Sequence, residues 1–240
     1  MKTLKVARSK GFTLIELAVA LVVVALLLGS ILVPLTTQVQ QRKISDTQKA
    51  LDEIKEALIG FAMTNGRLPC PAQSATNGLE KAACTLAVDR AGFIPWATLG
   101  VSKLDAWGHI FRYSVTPAYA SSLVPFTLIT AKDITIQTRD GTGTIISLTN
   151  ANSIPAVVLS HGRNAYGSVD DQGVVQSLPS GWPANNTDEN TNATGVGTTF
   201  VSRVPQDESA TGTGGEFDDI VAWLSPNILF NRMVAAGKLP

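Results

Sequence analysis

The side chains that most often carry out catalysis are few in this chain of 240 residues, and their spacing matches no catalytic motif. The sequence contains two histidines, His109 and His161, and neither belongs to a His-Glu-x-x-His pair. Ser160-His161-Gly162 lacks the flanking glycines of a Gly-x-Ser-x-Gly nucleophile elbow, and the sequence has no glycine-rich phosphate loop. The sequence therefore predicts a protein that is not an enzyme.

One acidic residue, Glu16, stands inside a long apolar segment, residues 12–35, which has no other charged side chain. As a helix this segment would extend about 36 Å, enough to cross a hydrocarbon layer of about 30 Å. An acid inside a membrane helix costs about 2.5–3.5 kcal/mol and is usually paired and functional. Glu16 is therefore either a functional acid or an interfacial residue whose side chain extends toward the lipid headgroups.

The charges around the apolar segment predict the orientation of the chain in a membrane. Four basic residues and no acidic residue precede Gly11, whereas few charges follow the segment directly. This asymmetry predicts a cytoplasmic N-terminus and a single span of the inner membrane, with the rest of the chain in the periplasm. A secretory signal would need a shorter apolar run followed by a small-residue cleavage site, which is not evident. An uncleaved anchor is the alternative.

Lys10-Gly11-Phe12-Thr13-Leu14-Ile15-Glu16 resembles the prepilin-peptidase motif of type IV pilins and type II secretion pseudopilins. The resemblance implies cleavage between Gly11 and Phe12, N-methylation of Phe12, and retention of the apolar segment. It also implies that Glu16 pairs with the new amino group of Phe12 on a neighbouring subunit. The partners it implies are prepilin peptidase, an inner-membrane assembly platform, membrane lipid and other pilin or pseudopilin subunits.

The residues after the apolar segment predict that the helix continues toward a globular head. Apolar residues from Ile44 to Phe61 recur at spacings of three, four and seven and form one stripe, and Asn65-Gly66 is a helix stop. Ser225-Pro226 predicts the start of a short C-terminal helix that stops at Gly237. Between the two helices lie strand-like segments at residues 126–130, 134–138, 144–148, 155–160 and 218–224. Residues 139–143 carry a hairpin signal.

These elements together predict an α+β fold, and the resemblance makes it pilin-like. A long N-terminal helix, with a membrane half and an amphipathic half, would pack on an antiparallel sheet. The predicted boundaries are a leader at 1–11, the helix at 12–64 and the head at 65–240. Within the head, residues 162–217 are rich in Gly, Asn, Thr, Ser and Asp, which predicts a long irregular loop.

Cys70 and Cys84 are the two cysteines of the chain. In a domain expected in the periplasm, such a pair predicts a disulfide. Closing a loop of about 15 residues is worth roughly 3 kcal/mol in the chain-entropy account. A structural metal site is not expected here, because no nearby histidine or further cysteine completes a set of four ligands.

The segment from Glu216 to Trp223 resembles the C-terminal segment of major pseudopilins, in which nearby acids bind calcium. The resemblance implies a candidate calcium site, because calcium takes six to eight oxygen ligands. The alternative is a solvated loop without metal, since the sequence has no EF-hand pattern, and no other cofactor is indicated. The candidate ligands are Asp218 and Asp219 together with Asp170 and Asp171, and Asp188 and Glu189 could join them.

The composition and charge of the chain limit its possible functions. Apolar residues make up 45% and charged residues 16%, which predicts a packed core rather than disorder. The net charge is zero and the body after Gly11 is mildly acidic, so no nucleic acid partner is expected. The resemblance therefore implies a structural subunit of a type IV pilus or type II secretion filament. Two alternatives are a minor pilin whose head is an adhesive or ligand-binding module, and a membrane-tethered periplasmic domain that does not polymerise.

Overall fold

The computed structural model of the protein describes residues 11, 13–176, 186–194, 196–207 and 213–239, except for the side chains of residues 27–35. The chain divides into two compact units, Met1–Lys43 and Ile44–Pro240, and both sheets belong to the second. The predicted fold class is confirmed in its coarse form, because the chain combines an N-terminal helix, antiparallel strands and a short C-terminal helix.

The described residues form five α-helices: α1 (Leu14–Asn65), α2 (Trp96–Leu99), α3 (Pro117–Ala120), α4 (Thr187–Thr194) and α5 (Pro226–Ala235). Helix α1 ends at Asn65 because Gly66 takes a left-handed conformation, with φ of 73°. Within the described part of the chain, no helix combines the length and the apolarity that crossing a membrane requires. Phe12 and the side chains of 27–35, which belong to the predicted apolar segment, lie outside the described residues.

Seven strands form two sheets among the described residues. The first sheet has the order β1-β2-β5-β7, and all its neighbours are antiparallel. The second has the order β4-β3-β6, in which β4 is antiparallel and β6 parallel to β3. The strands are β1 (Ala91–Phe93), β2 (Arg112–Val115), β3 (Thr135–Arg139), β4 (Ile145–Ser147), β5 (Ala156–Ser160), β6 (Thr199–Val201) and β7 (Ile220–Trp223).

Strand β5 is buried on both faces, and its alternating side chains join two hydrophobic clusters. Ala156 and Val158 belong to a cluster that includes Leu51, Ile54 and Leu58 of α1 and Leu229 and Met233 of α5. Val157 and Leu159 belong to a second cluster with Ile134, Ile136 and Phe200. Because successive side chains of a strand point to opposite faces, the first sheet lies between the helices on one face and the second sheet on the other.

Three expectations about the head differ from the structure. Residues 126–130 are not a strand; Phe126 instead packs on Tyr119, with ring centroids 4.5 Å apart. The predicted loop at 162–217 is partly regular, because it contains α4 and β6. The head is not purely antiparallel either, since β6 joins β3 in parallel, with Thr135 opposite Thr199.

Cys70 and Cys84 form a disulfide with an S–S distance of 2.10 Å, and both residues are buried in the first hydrophobic cluster. The loop that the disulfide closes is also held by Glu80. The Glu80 carboxylate accepts two hydrogen bonds of 2.8 Å from the Arg67 guanidinium and one of 3.0 Å from the Cys70 N–H. The segment after α1 is therefore fixed by a covalent bond and an ion pair together.

Replacing both Cys70 and Cys84 by alanine is expected to lower the free energy of unfolding by about 2–5 kcal/mol, because the unfolded chain is no longer constrained. Chemical denaturation of the full chain measures this difference. A reductant should destabilise the unaltered protein by a similar amount and leave the double variant unchanged. Alkylation of both thiols in the folded protein without reductant would contradict the pairing.

Candidate functional site

Glu16 lies in the first turn of α1 and forms a capping box with Thr13. Its carboxylate accepts hydrogen bonds from the Thr13 backbone N–H and from the Thr13 hydroxyl, both at 2.8 Å. The Glu16 N–H in turn donates to Thr13 Oγ1 at 3.3 Å. These reciprocal bonds satisfy donors that a helix start leaves free, and the negative charge is favourable at this end of the helix dipole. Sequence reasoning missed this role, although Thr-x-x-Glu is its signature.

The predicted cleavage point adjoins this capping box. Gly11 is exposed, and a β-carbon built on it would meet no atom within 4 Å. Phe12, the predicted new N-terminus, lies outside the described residues. Glu16 and the predicted cleavage point between Gly11 and Phe12 are close in sequence.

A second candidate site lies in the head, where three carboxylates converge. Glu189 comes from α4, and Asp218 and Asp219 immediately precede β7. One oxygen from each of the three lies within 4.8 Å of the others. Glu189 and Asp219 are buried and Asp218 is half-buried, so this acid cluster places three carboxyl groups together in the interior of the head.

Neighbouring amides hold the acid cluster in place. Glu189 accepts hydrogen bonds from the side-chain amides of Asn164 at 2.9 Å and Asn186 at 2.8 Å, and from the Asp218 N–H at 2.8 Å. Asp218 Oδ2 accepts from the backbone N–H groups of Arg163 and Asn164 at 3.0 and 2.9 Å. The chain comes this close because residue 162 is glycine: its φ is 62°, and a β-carbon there would overlap Asp218.

Several oxygens of the cluster have no hydrogen-bond partner among the described residues. Asp218 Oδ1, Asp219 Oδ1 and Asn186 Oδ1 are buried atoms of this kind. His161 Nδ1 lies 3.3 Å from Asp219 Oδ1 without a well-aligned hydrogen bond between them, and neither atom has another partner among the described residues. Since buried polar atoms are normally satisfied, these oxygens are available to a further partner, either water or a cation.

Burial changes the protonation of the cluster. It raises the pKa of Glu189 to about 8, and the charge of Asp219 adds to this effect. Burial also raises the pKa of Asp218 to about 7. An isolated buried carboxylate is costly to ionise, so near neutral pH these two acids either hold protons or need a cation beside them.

The donor set, three carboxylates, is of the kind that binds a hard cation such as calcium. Two oxygens on opposite sides of one calcium ion are about 5 Å apart, because each Ca–O distance is about 2.3–2.6 Å. The oxygens of the cluster lie within 4.8 Å of one another, which is compatible with a shared calcium ion. Zinc is less suited, because its structural sites use mainly sulfur and nitrogen ligands.

The structure brings together only part of the predicted ligand set. Asp218 and Asp219 are in the cluster with Glu189, but Asp170 and Asp171 lie elsewhere. Asp170 accepts N–H bonds within its own turn, from Gln172 and Val174, both at 2.9 Å. Asp171 instead pairs with Lys103 at 2.5 Å. Asp188 also binds elsewhere, to Arg139 at 2.6 Å and Arg203 at 2.7 Å.

Ser160, Asp105 and His109 do not form a nucleophilic triad. The Ser160 hydroxyl donates to Asp105 Oδ2 at 2.5 Å, and His109 Nδ1 lies 3.7 Å from the same oxygen. The carboxylate thus lies between serine and histidine, whereas a triad needs the imidazole beside the hydroxyl. This part of the described chain gives no positive sign of catalysis.

Residues 6–32 match the family model of the prokaryotic N-terminal methylation motif. The matched residues include Gly11, Phe12 and Glu16, and the match supports a precursor like those of type IV pilins and pseudopilins. Pilin-like precursors of this kind are structural proteins. Neither the curated proteins nor the solved structures include a match to the chain. The match leaves the head, with its acid cluster, without an assigned relative.

Proposed function

We propose that this protein is a structural subunit, a pilin or pseudopilin, of a type IV pilus or a type II secretion filament. The observation that carries the proposal is the match of residues 6–32 to the methylation motif. The motif implies processing by a peptidase and assembly with other pilin subunits. The capping box adds support, because it begins α1 directly after the predicted cleavage point.

Processing removes the leader, residues 1–11, and leaves Phe12 with a free amino group that is then methylated. The exposure of Gly11 supports access by prepilin peptidase. The apolar segment, 12–35, remains in the inner membrane as a single span until the assembly platform transfers the subunit into the filament. The head, 65–240, faces the periplasm, where Cys70 and Cys84 are oxidised.

Glu16 acts during assembly by pairing with the amino group of Phe12 on a neighbouring subunit. In the single chain its carboxylate accepts hydrogen bonds only from Thr13 among the described residues, and its side chain is exposed. A neighbouring amine can therefore reach it without breaking a buried interaction. Pairing two opposite charges offsets the cost of holding either one in an apolar environment.

The acid cluster is the candidate calcium site of the head, with Glu189, Asp218 and Asp219 as ligands. Calcium would offset two of the three negative charges of the ionised carboxylates and would join α4 to the residues before β7. The unpartnered oxygens of Asp218, Asp219 and Asn186 support this assignment.

Intact-mass analysis of the protein extracted from membranes is expected to show loss of residues 1–11 and the addition of one methyl group. A bulky substitution, Gly11→Leu, should block cleavage, because the peptidase must accept the residue before the cut. Gly60→Leu is the matched control, since a β-carbon at Gly60 also meets no atom within 4 Å. The control should be processed normally. A mature protein that still begins at Met1 would overturn the proposed function.

A further inference from the structure

Among the described residues of the head, two of the four sheet edges are covered and two are open. The outer edge of β1 is covered by the Ala72 N–H, which donates to Phe93 O at 2.9 Å. The outer edge of β6 is covered by α4, because the Asn192 side chain exchanges hydrogen bonds of 2.7 and 2.9 Å with the Val201 backbone. No described strand pairs with the outer side of β7 or β4. Open strand edges readily pair with another chain.

The register identifies the backbone groups that the open edges present. The Leu224 N–H donates to Ala156 O, which fixes the residues of β7 whose backbone groups bond to β5. Such residues alternate along an antiparallel strand with residues whose backbone groups face outward. On β7 the outward residues are Val221 and Trp223. On β4 the Leu148 N–H donates to Ile136 O, so the outward residues are Ile145 and Ser147. Each edge therefore offers two outward residues at a spacing of two.

The surroundings of the two edges favour burial. Beside β7 lies an open groove with a volume of about 490 Å³, whose other wall is formed by α1 side chains that include Asp52, Lys55 and Ile59. Ile228 at the rim of this groove is exposed. Strand β4 carries exposed Ile145 and Ile146. A strand placed in the groove would cover apolar surface on both partners.

We propose that β4 of one molecule pairs antiparallel with β7 of a second copy of this chain. The outward groups then align with Ile145 opposite Trp223 and Ser147 opposite Val221 of the second copy, which gives up to four backbone hydrogen bonds. This pairing uses residues of the head alone, so it goes beyond the proposed function and does not depend on cleavage at Gly11 or on Glu16.

The register predicts a specific disulfide between copies. Ile146 falls opposite Ala222 of the second copy in a pair without backbone hydrogen bonds, where the Cα atoms are about 4.5 Å apart, within the range for a disulfide. Full-length chains carrying Ile146→Cys and Ala222→Cys are co-expressed and mildly oxidised, and dimers are measured on non-reducing gels. The dimer yield should be several-fold higher than for the control pair Ile146→Cys with Val234→Cys. Residue 234 is more exposed than residue 222, so accessibility alone would favour the control pair.

A yield equal to that of the control pair would overturn the proposal, and so would equal crosslinking by Ile146→Cys alone, which would indicate pairing of β4 with itself. The yield is measured in whole cells and in sheared filaments. Assembled filaments without the crosslink would refute this pairing and leave the proposed function standing. A crosslink in cells without filaments would support the pairing and count against the proposed function.

A proline substitution tests the backbone bonds directly. Val221→Pro removes an outward N–H and no bond to β5, although it also removes a side chain that packs on the second cluster. The variant should therefore be destabilised less than Ala222→Pro and stay folded, while the crosslink falls several-fold. A folded Val221→Pro variant with an unchanged crosslink yield would also overturn the proposal. Ala222→Pro is the matched control, because it removes an N–H that bonds to β5 and should destabilise the head.

Discussion

Glu16→Gln is expected to exclude the protein from filaments without affecting leader cleavage or the folding of the head. Glutamine can still occupy the N3 position of a capping box, so the start of α1 is kept, but the negative charge is lost. Without that charge the amino group of a neighbouring Phe12 stays unpaired in an apolar environment, which is costly. Recovery of the processed protein in sheared filaments measures the effect, and intact mass confirms that cleavage still occurs.

Thr13→Val is the matched control for this experiment. It removes the hydroxyl that bonds to Glu16 and leaves the acid in place. If Glu16 acts through its charge, Thr13→Val should still enter filaments. If both variants are excluded equally, the helix cap rather than the charge pair would be what assembly needs. Normal filament entry by Glu16→Gln would contradict the assembly role of Glu16. Absence of the unaltered protein from filaments would instead favour a tethered domain that does not polymerise.

Local signals in the sequence predicted those parts of the fold that depend on neighbouring residues. Asn65-Gly66 predicted the end of α1 because only the conformation of Gly66 is involved. The hairpin between β3 and β4 was predictable for the same reason, since Asp140 organises the turn by accepting the Thr142 and Thr144 N–H groups. The β-forming residues at 126–130 predicted a strand that does not form, because Phe126 packs on Tyr119 instead.

Features that depend on contacts between distant residues were not predictable from one sequence. The parallel pairing of β6 with β3 joins segments that lie on opposite sides of β5 in the chain. The sequence predicted the acid cluster only in part. Glu189 contacts Asp218 across 29 residues, and nothing in the sequence spacing favours Glu189 over Asp170 or Asp171 as a member of the cluster. The left-handed Gly162, which lets the chain approach Asp218, becomes informative only once that contact is known.

The stability of the head is expected to fall as pH rises when calcium is absent. Burial raises the pKa of Glu189 from 4.5 to about 8 and that of Asp218 from 3.8 to about 7. Between the unfolded and folded pKa values the folded state binds more protons, so its stability decreases with rising pH. We expect a loss on the order of 2–4 kcal/mol between about pH 5 and pH 8, measured by denaturation in a chelator. A flat profile would contradict the burial of these acids.

Calcium should reverse this loss, because it binds the ionised carboxylates of the folded state and not the unfolded chain. A concentration 100 times the dissociation constant adds about 2.7 kcal/mol of stability, which a rise in melting temperature at pH 8 would show. Glu189→Gln should abolish the rise, since it removes one charged ligand. Asp171→Asn should keep it, because Asp171 pairs with Lys103 outside the cluster. No rise in the unaltered protein at about 10 mM calcium, well above the range for weak extracellular sites, would exclude the calcium site. A rise that persists in Glu189→Gln would place calcium on other residues.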